Sequence, residues 1–174
     1  APTVKTHPAT AARIALLHTW INTQDEGWWR LALDQIAVPY DYISTQDVAK
    51  DADLVSKYDV ILFPPVGRGA GQQLITGLPM YGNPLPWKTT ELTPNIGKID
   101  STDDMRPGMG WQGLANLQKF VRDGGVLIAV DDTANFAIQY GLTAGVSVTP
   151  ATRLKITGAV LRSKVVDGAS PIAY

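Results

Sequence analysis

The run Gly124-Gly125-Val126-Leu127-Ile128-Ala129-Val130-Asp131-Asp132-Thr133-Ala134 sets two carboxylates directly behind a short apolar strand. In an open α/β sheet ligands bind beyond the carboxyl ends of the strands, so chemistry would sit here. The strand, its turn and the helix that follows have the outline of a nucleophile elbow, with Asp132 at the elbow between Val130 and Ala134. Such an elbow carries Ser or Cys and the small glycines that let it turn tightly. Neither is present, which leaves only an aspartate nucleophile of the dehalogenase or phosphatase kind. The competing expectation is structural: Asp132 or Thr133 accepts the free amides at the start of the next helix.

Other chemistries are poorly supplied. Gly67-Arg68-Gly69-Ala70-Gly71 follows a strand, where a phosphate loop belongs, but Gln72 stands where the last glycine of a dinucleotide fingerprint should be. No Gly-Lys-Ser or Gly-Lys-Thr occurs. Metal binding would rest on two histidines, His7 and His18, neither with a ligand partner at helical spacing. No cofactor or metal is therefore expected in this chain. His18 ends a strand and reads as a hydrogen-bonded residue at the core edge, with general base as the alternative. Asp25 and Glu26 open a helix, where its dipole favours carboxylates without any further role. A ligand site is the reading that gathers most of these residues. Trp20, Asp25, Trp28, Arg68, Arg106, Trp111 and Asp131 can meet at one sheet edge, and aromatic faces with carboxylates and guanidiniums suit a sugar or a peptide. The candidate ligand residues are His18, Trp20, Asp25, Trp28, Arg68, Trp111, Asp131 and Asp132.

The elements that must position these groups alternate. Residues 1–12 have the Ala/Pro/Thr composition of a linker, and residues 13–174 form one domain. Arg13–His18 is an apolar run suited to a parallel strand covered on both faces. Thr23–Glu26 has capping-box spacing and opens a helix to about Gln35, with Trp29, Ala32, Leu33 and Ile36 on its inner face. Val38-Pro39 breaks it, Tyr40–Ile43 is a short strand, Thr45–Leu54 a short helix or turn, and Tyr58–Pro64 a third strand. Strand, helix, strand, connection, strand argues for a parallel sheet with helices on its faces. From Pro65 to Gly108 proline and glycine recur, and a loop that long inside a domain is either functional or hides an element. Leaving the third strand, it should cover the edge that holds Asp131 and Asp132. Gly110–Asp123 is a helix with Trp111, Leu114, Leu117 and Val121 in one stripe, capped by Gly124. The buried strand Val126–Val130, a helix from Thr133 to Tyr140, a short strand at Val146 and Val148, and a last strand over Thr157–Val166 complete the expectation. The fold class is a three-layer α/β/α sandwich on a mainly parallel sheet of about five strands.

Bulk properties narrow the role. The 174 residues carry 15 basic and 16 acidic side chains with no basic run, so nucleic acid is not an expected partner. No apolar run reaches the ~20 residues of a membrane helix, and no membrane partner is expected. There is no cysteine, which removes thiol catalysis and disulfides. Both ends look cut, so the chain reads as a piece of a longer protein.

Several blocks, in order, carry a resemblance: Asp25-Glu26-Gly27-Trp28-Trp29-Arg30, Val38-Pro39-Tyr40, Lys57–Leu62, Gly110, Gly113-Leu114, Phe120–Ala129 with Asp131, Gly158–Arg162 and Ser170–Tyr174. Together they resemble the C-terminal domain of large secreted bacterial zinc carboxypeptidase-like proteins of the carboxypeptidase A-like peptidase family. That domain is similar in fold to class I glutamine amidotransferases, a flavodoxin-like α/β sandwich. The resemblance implies a secreted or periplasmic protein whose peptidase domain, with its zinc, lies upstream as a partner in the same polypeptide. The amidotransferase triad of Cys, His and Glu does not carry over, since the chain has no cysteine and Asp132 stands near the elbow. The expected function is a non-catalytic accessory domain of a zinc-carboxypeptidase-like protein. The alternatives are a carbohydrate- or peptide-binding module and a hydrolase using His18 with Asp131 or Asp132.

Overall fold

The computed structural model describes residues 10–67, 69, 71–150, 152–153, 158 and 160–169. Four strands, β1 (Ile14–His18), β2 (Asp41–Ser44), β3 (Val60–Phe63) and β4 (Val126–Ala129), form one all-parallel sheet in the order β2-β1-β3-β4. The helices are α1 (Gln24–Gln35), α2 (Thr45–Lys50), α3 (Leu54–Lys57), α4 (Gly71–Thr76), α5 (Gly110–Arg122) and α6 (Asp132–Gln139). The strand order turns back at β1, so same-handed crossovers put α1 on one face and α2–α5 on the other. The packing agrees: α1 lies on β1, while α2, α3 and α4 all pack on α5. The protein is thus a three-layer α/β/α sandwich. Four strands are present among the described residues, where about five were expected. The strand expected at Val146 and Val148 is exposed irregular chain. The one expected over Thr157–Val166 is irregular where it is described, at 158 and 160–166, and Thr157 and Ala159 lie outside the described residues.

The main core lies on the α5 face. Ala15 and Leu17 of β1, Ile61 and Phe63 of β3, and Leu114, Leu117, Phe120 and Phe136 of the helices form one buried cluster. Cutting one of its phenylalanines to alanine costs about 3–5 kcal/mol at such sites. The alternate residues of β1, Leu16 and His18, therefore face α1. α5 ends in a left-handed Gly124 (φ 103°), with Gly124 N–H on Val121 O and Gly125 N–H on Phe120 O. A Cβ on Gly125 would run into the Phe120 ring, so both glycines are required.

Several expectations are corrected. Trp111 is not in the buried stripe of α5: it is 68% exposed, and Asn116 and Phe120 take the inward positions. Ala32 and Ile36 of α1 are also exposed. β4 is not a fully buried strand, because it lies at the sheet edge while α1 packs on β1 and β2; Val126 and Ile128 stay half-exposed. The Thr23–Glu26 capping box does not form. Thr23 makes no side-chain cap bond, and Glu26 turns inward instead. The 65–108 stretch hides α4, and its remainder is pinned by its own polar groups. Trp87 and Thr102 exchange backbone hydrogen bonds, Arg106 grips Asp104 through Nε and Nη2 (2.8 and 2.7 Å), and Gln46 Nε2 donates to Asp104 O at 2.8 Å.

Candidate functional site

The stretch after α4 crosses the carboxyl end of β1 and delivers Asp100 to His18, with His18 Nε2 2.8 Å from Asp100 Oδ2. Beneath it is a cavity of about 180 Å³. Its walls are His18 and Trp20 from the end of β1, Thr23, Glu26 and Arg30 from the α1 region, Tyr42 of β2, and Trp87 with Asn95–Asp100 from the covering segment. The register explains the grouping. Tyr42 is paired with Leu16, so its ring lies beside His18 on the α1 face. The two rings stack at 4.0 Å and 6°, and Trp20 meets His18 edge-on at 4.8 Å. Glu26 and Arg30, one helical turn apart, share the inner side of α1.

The electrostatics follow from burial. His18 is 2% exposed, Glu26 4% and Trp20 6%. The Tyr42 hydroxyl donates to Glu26 Oε1 at 2.7 Å. Burial, and then that bond, push the Tyr42 phenol well above its usual range, so it stays a neutral donor. Arg30 lays its guanidinium over the Tyr42 ring, with Cζ 4.9 Å from the centroid. Among the described residues, three buried polar side-chain atoms have no hydrogen-bond partner: Trp20 Nε1, Glu26 Oε2 and Arg30 Nε. All three belong to residues lining this cavity. An unsatisfied buried polar group costs about 1–3 kcal/mol, so three in neighbouring residues of one wall are an unusual concentration.

The same geometry holds the His18 ring between two oxygens. Its Nδ1 lies 3.3 Å from Thr19 O and its Nε2 2.8 Å from Asp100 Oδ2. A general base must present a bare nitrogen to its substrate, and a ring only 2% exposed between these two contacts is poorly placed to do so. The carboxylate beside His18 is Asp100, not Asp131 or Asp132. Among the described residues no group of three His, Cys, Asp or Glu side chains is placed to hold a metal.

The elbow after β4 is present, displaced by one residue. Asp131, rather than Asp132, has the strained backbone (φ 57°, ψ −111°). Its side chain is exposed and makes no cap bond. Asp132 and Thr133 do not cap α6 in the expected way, because nearer donors and acceptors at the end of β3 claim them. Asp132 Oδ1 accepts from Val66 N–H at 3.0 Å. Thr133 Oγ1 accepts from Val130 N–H at 2.8 Å and donates to Phe63 O at 2.7 Å. Together they lash the β4 turn to the exit of β3.

Of the candidate ligand residues that are described, His18 and Trp20 line the cavity and the others do not. Asp25 is half-buried outside it, and Trp28 is 65% exposed on α1. Trp111 lies against Tyr140, at the α5–α6 side. Arg106 is a buried brace within the covering segment. Arg68 lies outside the described residues, as do Ala70, residues 1–9 with His7, and Ser170–Tyr174. A second, open crevice of about 700 Å³ lies between the exits of β1 and β3, where the strand order reverses; Asn22 Nδ2 spans it to Val66 O at 3.0 Å. Glu26, Arg30, Tyr42, Trp87 and Asp100 were not singled out from sequence as site residues. The i, i+4 spacing of Glu26 and Arg30 was a signal for that pair; for Asp100, 82 residues from His18, there was none. Comparisons of the chain with protein-family models, with curated proteins and with solved structures find no match.

Proposed function

We propose that this chain is a non-catalytic ligand-binding domain whose ligand sits in the cavity between α1, the end of β1 and the segment carrying Trp87 and Asp100. The observation that carries it is a cavity of about 180 Å³ walled by His18, Trp20, Tyr42 and Trp87 together with the ionisable Glu26 and Arg30. The engaged nitrogens of His18 and the absence of cysteine favour binding over hydrolysis. A thermal-shift screen against mono- and oligosaccharides, amino acids and short peptides tests the reading. A ligand at about 100 times its Kd adds about 2.7 kcal/mol, or roughly 5–10 °C for a chain of this size. That rise should vanish in Glu26→Gln and Arg30→Ala. A rise that survives both substitutions places the ligand elsewhere and defeats the proposal.

The wider setting is an accessory domain of a secreted or periplasmic zinc-carboxypeptidase-like protein, with the upstream peptidase domain as partner and the zinc held there. The ordered blocks of resemblance support this, and the α/β/α layering is compatible with an amidotransferase-like fold. The coding sequence upstream tests it: a His-x-x-Glu and a later His are expected, and an unrelated upstream domain would refute it.

A further inference from the structure

Residues 88–100 form a lobe that is held differently from the chain that follows it. No side chain in the lobe is buried, and its large apolar residues face water: Leu92 is 94% exposed and Ile99 63%. The chain beyond it is anchored. Arg106 and Met109 are buried, Gln46 accepts from Thr102 Oγ1 at 2.9 Å and donates to Asp104 O at 2.8 Å, and Leu78 N–H donates to Arg106 O at 2.7 Å. A segment with no buried apolar contacts opens at far lower cost than the core.

The lobe is also closed on itself. Thr89 Oγ1 donates to Ile96 O at 2.7 Å, Thr93 Oγ1 donates to Lys88 O at 3.1 Å, and Thr90 and Thr93 exchange backbone hydrogen bonds. Gly97, at φ 69°, passes so near Lys88 that a Cβ there would collide with the Lys88 backbone. Such a lobe moves as a unit. Its neck is the Trp87–Thr102 pair, whose backbone N–H groups bond each other's carbonyls at 2.9 and 3.0 Å. Among the described residues, one hydrogen bond joins the lobe to the sheet: His18 Nε2 with Asp100 Oδ2 at 2.8 Å. Asp100 is oriented by the Ser101 N–H, which its Oδ1 accepts at 2.7 Å. Asn95–Asp100 line the same cavity as His18 and Trp20.

We propose that residues 88–100 are a lid on the cavity at the end of β1, hinged at the Trp87–Thr102 pair and latched by His18 and Asp100. Opening breaks the latch and exposes His18 while the sheet stays folded. That the lid admits a ligand rests on the ligand-site reading above; its opening is measured without any ligand, so either can fail alone. The test labels His18 with diethyl pyrocarbonate in the full chain, at urea concentrations below the unfolding midpoint. Mass spectrometry reads the label in the tryptic peptide Ile14–Arg30, which holds no other histidine. Lid opening exposes little surface, so the labelling rate should hardly change with urea. Amide exchange of Ala15–Leu17, in the buried sheet, should rise steeply in the same samples. Asp100→Ala should speed labelling about tenfold or more, as loss of a hydrogen bond to a carboxylate does. Lys88→Ala, which removes only an exposed ion pair with Asp103, should leave the rate unchanged. Labelling that climbs with urea in step with the sheet amides means that His18 is reached only by global unfolding, and overturns the lid. Equal rates in wild type and Asp100→Ala overturn the latch.

Discussion

Replacing Asp131 by glycine should stabilise the protein. Asp131 holds φ 57° and ψ −111°, a region that a side chain with a Cβ adopts at a cost of about 1–3 kcal/mol. Its side chain is exposed and makes no cap bond, so removing it loses neither packing nor a hydrogen bond. Glycine relieves the strain but loses more chain entropy on folding, by about 0.5–1 kcal/mol. The net gain is about 1 kcal/mol, or roughly 2–4 °C in Tm at this chain length. Asp131→Ala keeps the Cβ and tolerates positive φ less well than aspartate, so it should be neutral or destabilising. Urea unfolding followed by tryptophan fluorescence and far-ultraviolet dichroism gives the order: glycine most stable, then wild type, then alanine. If alanine matches glycine, or glycine falls below wild type, the backbone at Asp131 is not strained and the reasoning fails. The substitution also separates strain from use, since the proposed ligand site at the His18 cavity should be unaffected.

Ala37, at φ 54° behind α1, occupies the position where helices commonly end in glycine, with Ala37 N–H on Asp34 O and Val38 N–H on Leu33 O. Ala37→Gly should therefore raise stability by about 1 kcal/mol, and a lower urea midpoint would refute this. Asp132→Ala strands the Val66 N–H and should cost about 1.5–3 kcal/mol, whereas Asp132→Asn keeps an acceptor and should cost less; equal losses in chemical denaturation would count against the lashing role. Asp100→Ala removes the tie to His18, and trypsin should then cut faster after Lys98; an unchanged cleavage rate would show that the segment is held by other contacts. Acid should weaken the fold in a defined window. The Arg13 side chain, and then its backbone N–H, hold Asp59 at about 2 against an ordinary 3.8, and the Arg106 guanidinium holds Asp104 lower as well. A depressed folded-state pKa supplies stability that is complete above the unfolded value and lost as pH falls through the folded one. Urea midpoints should stay level from pH 7 to 5 with respect to these groups and drop between about pH 4 and 2. An undiminished midpoint at pH 2.5 would contradict the pairing.

Much of the layer order was legible in the chain because it is set locally. Ile14–Leu17 and Val60–Phe63 are unbroken apolar runs, which suit a strand covered on both faces. Gly124 and Gly141 stop α5 and α6 where a left-handed residue is needed, at φ 103° and 70°. Those features hold whatever the strands' neighbours are. The expectations for β4 and for the inner face of α1 failed because burial depends on what lies across the sheet. Apolar residues at the right spacing stay exposed when no element covers them, as Val126, Ile128 and Ile36 do.

The site was decided almost wholly by tertiary structure. Glu26 looked like a helix-start carboxylate favoured by the dipole; it became a buried acceptor because β2 places the Tyr42 hydroxyl 2.7 Å from it. The distinction between Asp131 and Asp132 is one of backbone torsion, and residue type does not encode which of two adjacent aspartates takes the positive φ. The path of the segment beyond α4 depends on contacts such as Gln46 with Asp104 and His18 with Asp100, closed over 58 and 82 residues. Sequence periodicity carries the one-dimensional order of strands and helices, because that order follows from nearest neighbours along the chain. It does not carry the meeting of His18, Glu26, Arg30 and Asp100, because that depends on which distant side chains the closed fold leaves without water.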